Sequence, residues 1–377
     1  MKSRFVLVTG GAGFIGSHLV AALLSRGHRV RVLDAFDPQV HGSDPAPRLP
    51  AAAELARGDL LDGALLERAL EGVEVVFHQA ASVGVGQSMY RSADYTRVNC
   101  VGTALLMEKI VARRPPVRKV VVASSMSIYG EGSYACSSCG PVDPGLRKPE
   151  RLKAGKWEPE CPRCGKDLRP APTGERKPLA PTSVYAITKR FQEETVLALG
   201  RAYGIPAVAL RYFNVYGPGQ ALSNPYTGVA AIFSSRLLNG LSPVIFEDGG
   251  QGRDFVHVSD VVQANLLAME SEDADHEVFN VGTGRLVPLR ELAAGLQERL
   301  GALRQAEPRI LGIFREGDIR HCYADIGKIR RRLGYEPRVS LEDGYDDLVA
   351  WARNQKPVDR FDEAQRELVT RGLLSEE

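Results

Sequence analysis

Tyr185 and Lys189 stand four residues apart in Tyr185-Ala-Ile-Thr-Lys189, inside a segment of helical periodicity, so their side chains share one helix face. An ammonium beside a phenol favours the phenolate and lowers its pKa, giving a base able to act near neutral pH. Alone, the pair reads as an exposed Tyr and Lys on an amphipathic helix. Its neighbours change that. Ser124-Ser125-Met-Ser-Ile-Tyr129-Gly130 ends the strand-like Val120-Val-Val-Ala123 and presents a hydroxyl at the carboxyl edge of a sheet, where open α/β folds bind ligands.

Between these two segments lie Cys136-Ser-Ser-Cys139-Gly and Cys161-Pro-Arg-Cys164-Gly, separated by residues 140–160. That spacing lets two hairpins bring four thiolates around one tetrahedral zinc with no position open to water, a site that holds structure and does not catalyse. Two disulfides or four unrelated cysteines are the alternative, and paired CxxC units in a chain opening without a secretory signal favour zinc. Residues 131–181 lack any periodic apolar pattern and are read as a small zinc-binding insertion. A module so poor in apolar surface needs a metal to hold it together. Cys100 and Cys322 are each read as a small buried apolar residue or a bystander rather than a nucleophile.

Thr9-Gly10-Gly11-Ala12-Gly13-Phe14-Ile15-Gly16 directly follows the first strand and opens the first helix. A turn of this kind lets the backbone approach a pyrophosphate while the helix N-terminal N–H groups, Phe14 and Ile15 among them, bind its charge. Asp34 ends the second strand, where a carboxylate accepts hydrogen bonds from the adenosine ribose and repels a 2′-phosphate, so NAD is expected over NADP. A cap or turn role is the alternative for Asp34. Asp59 and Leu60, after the next strand, suit the adenine edge, with an ordinary Gly-Asp turn as the alternative.

The elements that must position these groups follow a rhythm. Strand-like runs at 5–8, 29–33, 73–78, 117–123, 205–210 and 277–281 alternate with helical segments such as 14–26, 64–71, 97–113 and 184–203. The expected fold is α/β, a Rossmann-type doubly wound parallel sheet with a smaller C-terminal substrate lobe and the metal-binding insertion. The NAD-binding domain is placed at 1–212 and 252–284, with 131–181 inserted in it, and the substrate lobe at 213–251 and 285–377. Residues 38–50, rich in proline, are read as an irregular loop. The 48 basic and 46 acidic residues among 377 give no electrostatic case for nucleic acid or an anionic membrane. With no signal-peptide pattern and no bilayer-long apolar run, a cytoplasmic protein is expected.

Further ordered segments carry a resemblance: Val98-Asn99-Cys-Val-Gly-Thr103, Leu210-Arg-Tyr-Phe-Asn214-Val-Tyr-Gly-Pro-Gly219, Arg253-Asp254-Phe-Val-His-Val-Ser-Asp260, Asn280-Val-Gly-Thr283 and Arg315-Glu-Gly-Asp318. With the glycine turn, the Ser-x-x-x-Tyr-Gly segment and Tyr-x-x-x-Lys, the chain resembles an extended short-chain dehydrogenase/reductase of the NAD-dependent nucleotide-sugar epimerase/dehydratase family. The likeness spans nearly everything outside the cysteine insertion. It implies bound NAD, a nucleotide-sugar substrate and a homodimer. By the same resemblance, Ser125 hydrogen-bonds the sugar O4, Tyr185 is the base, Lys189 binds the nicotinamide ribose, and Asn99 belongs to the cofactor site. Asn214, Arg253 and Arg315 resemble the family's nucleotide-diphosphate contacts.

The 4,6-dehydratases of this family place an Asp-Glu pair directly after the hydroxyl residue, and the UDP-glucuronate decarboxylases keep the Glu. Met126 and Ser127 occupy those positions here and do neither job. The resemblance therefore implies an isomerase, a nucleotide-sugar 4-epimerase, with a dehydratase or 4-ketoreductase as the alternative. An NAD-binding sensor with a zinc-ribbon interaction module is the alternative of another class, and the intact Ser125, Tyr185 and Lys189 argue against it. Segments 81–88 and 223–228, where the family builds its hexose pocket, hold no basic side chain for a uronate, so a neutral hexose or 6-deoxyhexose is expected. The Asn-Pro-Tyr-Thr-Gly-Val run and the cysteine insertion are most similar to enzymes of the dTDP-L-rhamnose 4-epimerase type, with the UDP-glucose 4-epimerase type next.

Overall fold

The computed structural model describes residues 3–42, 49–112, 117–300, 307–315 and 317–374. Seven strands, β1 (Phe5–Thr9), β2 (Arg29–Asp34), β3 (Glu54–Arg57), β4 (Val75–His78), β5 (Lys119–Ser125), β6 (Ala207–Tyr212) and β7 (Val278–Val281), form one parallel sheet. Their order is β7-β6-β5-β4-β1-β2-β3, so the chain reverses its direction of winding between β1 and β4. The carboxyl ends of these two strands flank a crevice at that switch point.

The inner strands β1, β4, β5 and β6 read as largely apolar runs because helices cover both faces, whereas β2 and the edge strand β3 carry charged, partly exposed residues. Val6 and Val8 of β1 pack with Leu19 and Leu23 of helix Phe14–Ser25 and Val261 of helix Val258–Glu270. Leu7 faces the other way, against Leu66, Leu106, Ile110 and Val196 from helices Gly63–Ala69, Gly102–Val111 and Val184–Tyr203. The smaller lobe is built on helices Val229–Leu238, Leu289–Leu300 and Leu341–Ala352, closed around Phe233, Leu292, Leu296 and Leu348.

Four local outcomes differ from the sequence reading, the first being β3 (Glu54–Arg57), a four-residue, partly exposed edge strand absent from the strand-like runs named above. Pro38–His41 forms a helical turn because Asp37 caps it through the Gln39 N–H and Pro38 fits its first position; positions 43–48 of that expected loop lie outside the described residues. The single helix expected over 97–113 is a short helix Ser92–Tyr95, a wider π turn Thr96–Val101 and the helix Gly102–Val111. The insertion contains a three-stranded antiparallel sheet, with Ser133–Cys136 between Gly140–Val142 and Arg169–Ala171. Its small core gathers Tyr134, Cys136, Val142, Cys161 and Leu168, with Cys139 packed against them.

Candidate active site and nucleotide crevice

Helix Val184–Tyr203 begins where the Ser183 hydroxyl accepts the Ala186 N–H at 3.1 Å. One residue on, the Tyr185 N–H donates to Ser88 Oγ at 3.0 Å, and Ser88 is fixed in turn on the Val85 carbonyl at 2.6 Å. Ser125, the last residue of β5, accepts from the Ser127 N–H at 3.2 Å and the Ser127 hydroxyl at 2.9 Å. Burial pushes the Tyr185 phenol up to about 12, opposed by its hydrogen bond with Ser125. This differs from the lowered phenol expected from the Tyr-Lys spacing. The reason is geometric: Lys189 is buried and its Nζ donates to Gln192 Oε1 at 2.7 Å. Burial also brings Lys189 itself down to about 7, against the pull of Glu193.

Behind the lysine runs a polar chain that the sequence reading did not single out. Gln192 Nε2 donates to Thr103 Oγ1 at 2.9 Å and sits 3.1 Å from His78 Nε2, while His78 Nδ1 meets Thr9 Oγ1 at 2.8 Å. Burial, then the Lys189 charge, pushes His78 down to about 3, so it stays neutral and acts as a fixed link between the end of β1 and the lysine. Asn99, fully buried, accepts the Ser82 N–H at 2.7 Å and donates to the Ser82 carbonyl at 3.0 Å and Thr188 Oγ1 at 2.9 Å. Its amide braces the 80–82 loop against the Tyr-Lys helix. A second link is ionic: Arg211 on β6 pairs with Glu193 at 2.5 Å and donates to Tyr129 Oη at 2.8 Å, and Ser124 Oγ donates to Glu193 at 2.6 Å. The available signal was a polar residue in each otherwise apolar strand: His78, Ser124, Arg211.

The glycine turn has the shape a pyrophosphate needs. Gly10 has φ +67°, and a Cβ there would lie 2.8 Å from the Ala80 backbone; a Cβ on Gly16 would overlap the Gly10 carbonyl oxygen. Helix Phe14–Ser25 starts from Gly13 without a side-chain cap, leaving its first N–H groups, Phe14 and Ile15 included, free for an anion. Asp34 closes the turn from behind, accepting the Ala12 N–H at 3.0 Å and the Phe36 N–H at 2.8 Å. Burial raises its pKa, but His41 and these two N–H groups outweigh that and hold the carboxyl ionised and low. Asp59 is exposed and accepts the Leu61 N–H at 2.9 Å, as a turn residue does, while Leu60 is buried beside Gly102.

On the substrate side, Asn214 Oδ1 is buried without a partner, an acceptor waiting for a donor. The Arg253 guanidinium holds the carbonyls of Gly252 and Arg320 at 2.9 Å and Ile319 at 2.8 Å. Arg315 pairs with Asp318 at 2.9 Å. The two segments assigned to the sugar meet: a Cβ on Gly84 would be 2.9 Å from Tyr226 Cβ, and Tyr90 and Tyr226 hydroxyls hydrogen-bond at 2.5 Å. In the insertion, Cys136, Cys139, Cys161 and Cys164 bring four Sγ atoms within 4.8 Å of one another. None is in a disulfide, and the Ser138 N–H points at Cys136 Sγ at 3.5 Å.

Comparison with known proteins agrees with this geometry. The profile of the NAD dependent epimerase/dehydratase family matches residues 6–145 and 163–282, and the unmatched stretch runs from the loop after the first cysteine pair into the second, taking in Cys161. A dTDP-L-rhamnose 4-epimerase of Burkholderia thailandensis is 36% identical, over 93% of this chain and 95% of that protein. The UDP-glucose 4-epimerase of Thermotoga maritima, solved with UDP-glucose, superposes with a TM-score of 0.74 at 34% identity, covering 93% of this chain and 98% of the other. The Thermus thermophilus UDP-glucose 4-epimerase, solved with NAD, gives 0.73 at 32% identity, over 93% and 100%. With a parallel sheet that ends in this glycine turn, a Ser-Tyr-Lys set at its carboxyl edge and matches over nearly its full length, the chain belongs to the NAD-dependent epimerase/dehydratase family.

Proposed function

We infer that the protein is an isomerase, a nucleotide-sugar 4-epimerase that works with resident NAD. The observation that carries this is the set Ser125, Tyr185 and Lys189 combined with what stands beside it: Met126 is a buried apolar side chain, and the Ser127 hydroxyl is spent on Ser125. Elimination across C5 and C6 needs an additional acid and base, and these positions supply none. When bound, NAD supplies the acceptor and donor of hydride at the sugar C4. Tyr185 takes the proton of the 4-hydroxyl and later returns it; Ser125 bridges that oxygen and the phenol. Lys189, aimed by Gln192, is placed for the cofactor ribose, and the positive nicotinamide of bound NAD would add the charge that favours the phenolate. Asn214, Arg253 and Arg315 hold the diphosphate.

A neutral hexose or 6-deoxyhexose linked to dTDP or UDP is the proposed substrate, supported by the absence of Lys and Arg from 81–88 and 223–228 and by the names of the dTDP-L-rhamnose and UDP-glucose 4-epimerases that this chain resembles. A panel of dTDP-, UDP- and GDP-sugars, read for the 4-epimer, tests this. Conversion confined to uronic acids would reject the neutral-sugar reading.

The four cysteines are proposed to hold one structural zinc. Zn–S bonds of about 2.3 Å in a tetrahedron put sulfurs about 3.8 Å apart, and the cluster, with Cys136 and Cys164 at 3.5 Å, is already close to that. Elemental analysis should find one zinc per chain; a metal-free protein with disulfides at these positions would reject it. Six cysteines with no disulfide among them, four of them proposed as zinc ligands, fit a reducing compartment such as the cytoplasm. A homodimer is proposed through the π turn Thr96–Val101 with its following helix Gly102–Val111 and helix Val184–Tyr203, where Val101, Ile187 and Phe191 are exposed at 46%, 54% and 39%. A monomer in sedimentation would reject that part.

A further inference from the structure

The loop between the two cysteine pairs, residues 140–160, reaches out of the insertion and into the substrate lobe. Arg147, from its middle, is buried and forks onto Glu247 at 3.0 and 2.7 Å, and its second Nη donates to the Asp318 carbonyl at 3.0 Å. Glu158, near the loop's end, accepts from Arg320 at 2.9 Å and meets His321 Nε2 at 3.0 Å. Arg320 completes the cluster on Glu247 at 2.9 Å and Asp248 at 2.7 Å. The root of the insertion grips the same stretch. Glu131 accepts the Arg320 N–H at 2.5 Å, the Gly132 N–H donates to the His321 carbonyl at 2.9 Å, and Tyr134 Oη accepts the His321 N–H at 3.1 Å.

That stretch, 318–321, is what orients the arginines assigned to the diphosphate. Arg253 is held by the carbonyls of Ile319 and Arg320, and Arg315 by the carboxylate of Asp318. Moving this backbone moves both guanidinium groups. The four sulfurs, in turn, close the base of loop 140–160 by joining its two ends.

We propose that Arg147 is a positioning residue for the nucleotide diphosphate: clamped at its base by the four-cysteine site, loop 140–160 uses Arg147 to set the 318–321 backbone and, through it, Arg253 and Arg315. The insertion then governs affinity for the nucleotide and leaves the Ser125–Tyr185–Lys189 chemistry alone. This rests on the assignment of Arg253 and Arg315 to the diphosphate and, for its metal arm, on the zinc reading.

The test uses the NAD-loaded full chain and titrates dTDP and UDP by calorimetry beside steady-state kinetics. Arg147→Met should weaken nucleoside-diphosphate binding and raise the sugar-nucleotide KM by roughly 10-fold, with kcat within about twofold and NAD and zinc contents unchanged. Arg147→Lys, which keeps the charge and loses the fork, should fall between. Cys139→Ser with Cys164→Ser should lose zinc and show the same split. Unchanged nucleotide affinity in Arg147→Met, or a kcat loss as large as the KM change, overturns the proposal. A zinc-depleted cysteine variant with normal affinity overturns the metal arm. If the wild type holds no zinc, only the zinc reading falls and Arg147→Met still decides. Should that variant fail to fold, Glu158→Gln removes the half-exposed end of the cluster; it should weaken binding severalfold at constant kcat, and normal binding there overturns the proposal.

Discussion

The working parts of the site are few, and each is held by a partner whose loss has a foreseeable effect. Tyr185→Phe keeps the ring and its packing but removes the acid–base hydroxyl, so turnover should fall on the order of 10²-fold or more while NAD content stays normal. Near-normal turnover would place the base elsewhere. Lys189 gives a second, thermodynamic readout. Its pKa is near 7 when folded, against 10.5 for an ordinary lysine, because burial disfavours the charge. Below pH 7 the folded protein carries the full burial penalty; from pH 7 to about 10.5 the unfolded chain keeps a proton the folded one has lost, so this group's contribution to stability rises with pH. Lys189→Met should therefore raise the melting temperature most at pH 6 and progressively less toward pH 10, while activity is lost. A stability gain independent of pH would contradict the assignment of that shift to Lys189.

At the scale of elements, the glycine turn and the Arg211–Glu193 pair do different work. Gly16→Ala puts a methyl group onto the Gly10 carbonyl, so the turn must open and the protein should purify without NAD while the rest of the fold survives. Retained NAD would show that the turn has slack. Arg211 and Glu193 are both buried, and they tie β6 to the Tyr-Lys helix and, through Ser124, to the end of β5. Arg211→Met strands the Glu193 charge and should cost about 3–5 kcal/mol in denaturant unfolding; a cost under about 1 kcal/mol would mean Glu193 takes up a proton at little expense.

The same elements explain what could be read from the chain. Strands buried on both faces leave continuous apolar runs, and helix Val184–Tyr203 carries its own cap and periodicity, so both were legible to within two residues. The chemistry-bearing Ser125, Tyr185, Lys189 and the glycine turn lie in local motifs, and local motifs are what a sequence displays. The Gln192–His78–Thr9 chain joins residues 114 and 69 positions apart, and nothing in their local pattern announces it. The insertion's strands are three or four residues long and include Pro141 and Pro170, too short for alternation to register. The π turn at Thr96–Val101 widens a helix without changing the residue types that make one.

Taken whole, the molecule sets a dinucleotide crevice at the β1–β4 switch point beside a smaller lobe, and an ion cluster on Glu247 and Arg320 fastens the cysteine insertion to that lobe. No helix among the described residues is long and apolar enough to cross a membrane. In a 4-epimerase with resident NAD, hydride departs from C4 and returns to C4 within one site. The measurement that tests it most directly supplies UDP-glucose and dTDP-L-rhamnose deuterated at C4 to the purified protein without added cofactor, and follows the products by NMR and mass spectrometry. The 4-epimer of the accepted substrate should form with the deuterium still on C4 and no release of reduced cofactor. Loss of the label to solvent, or a 4-keto-6-deoxy sugar from UDP-glucose, would contradict the account.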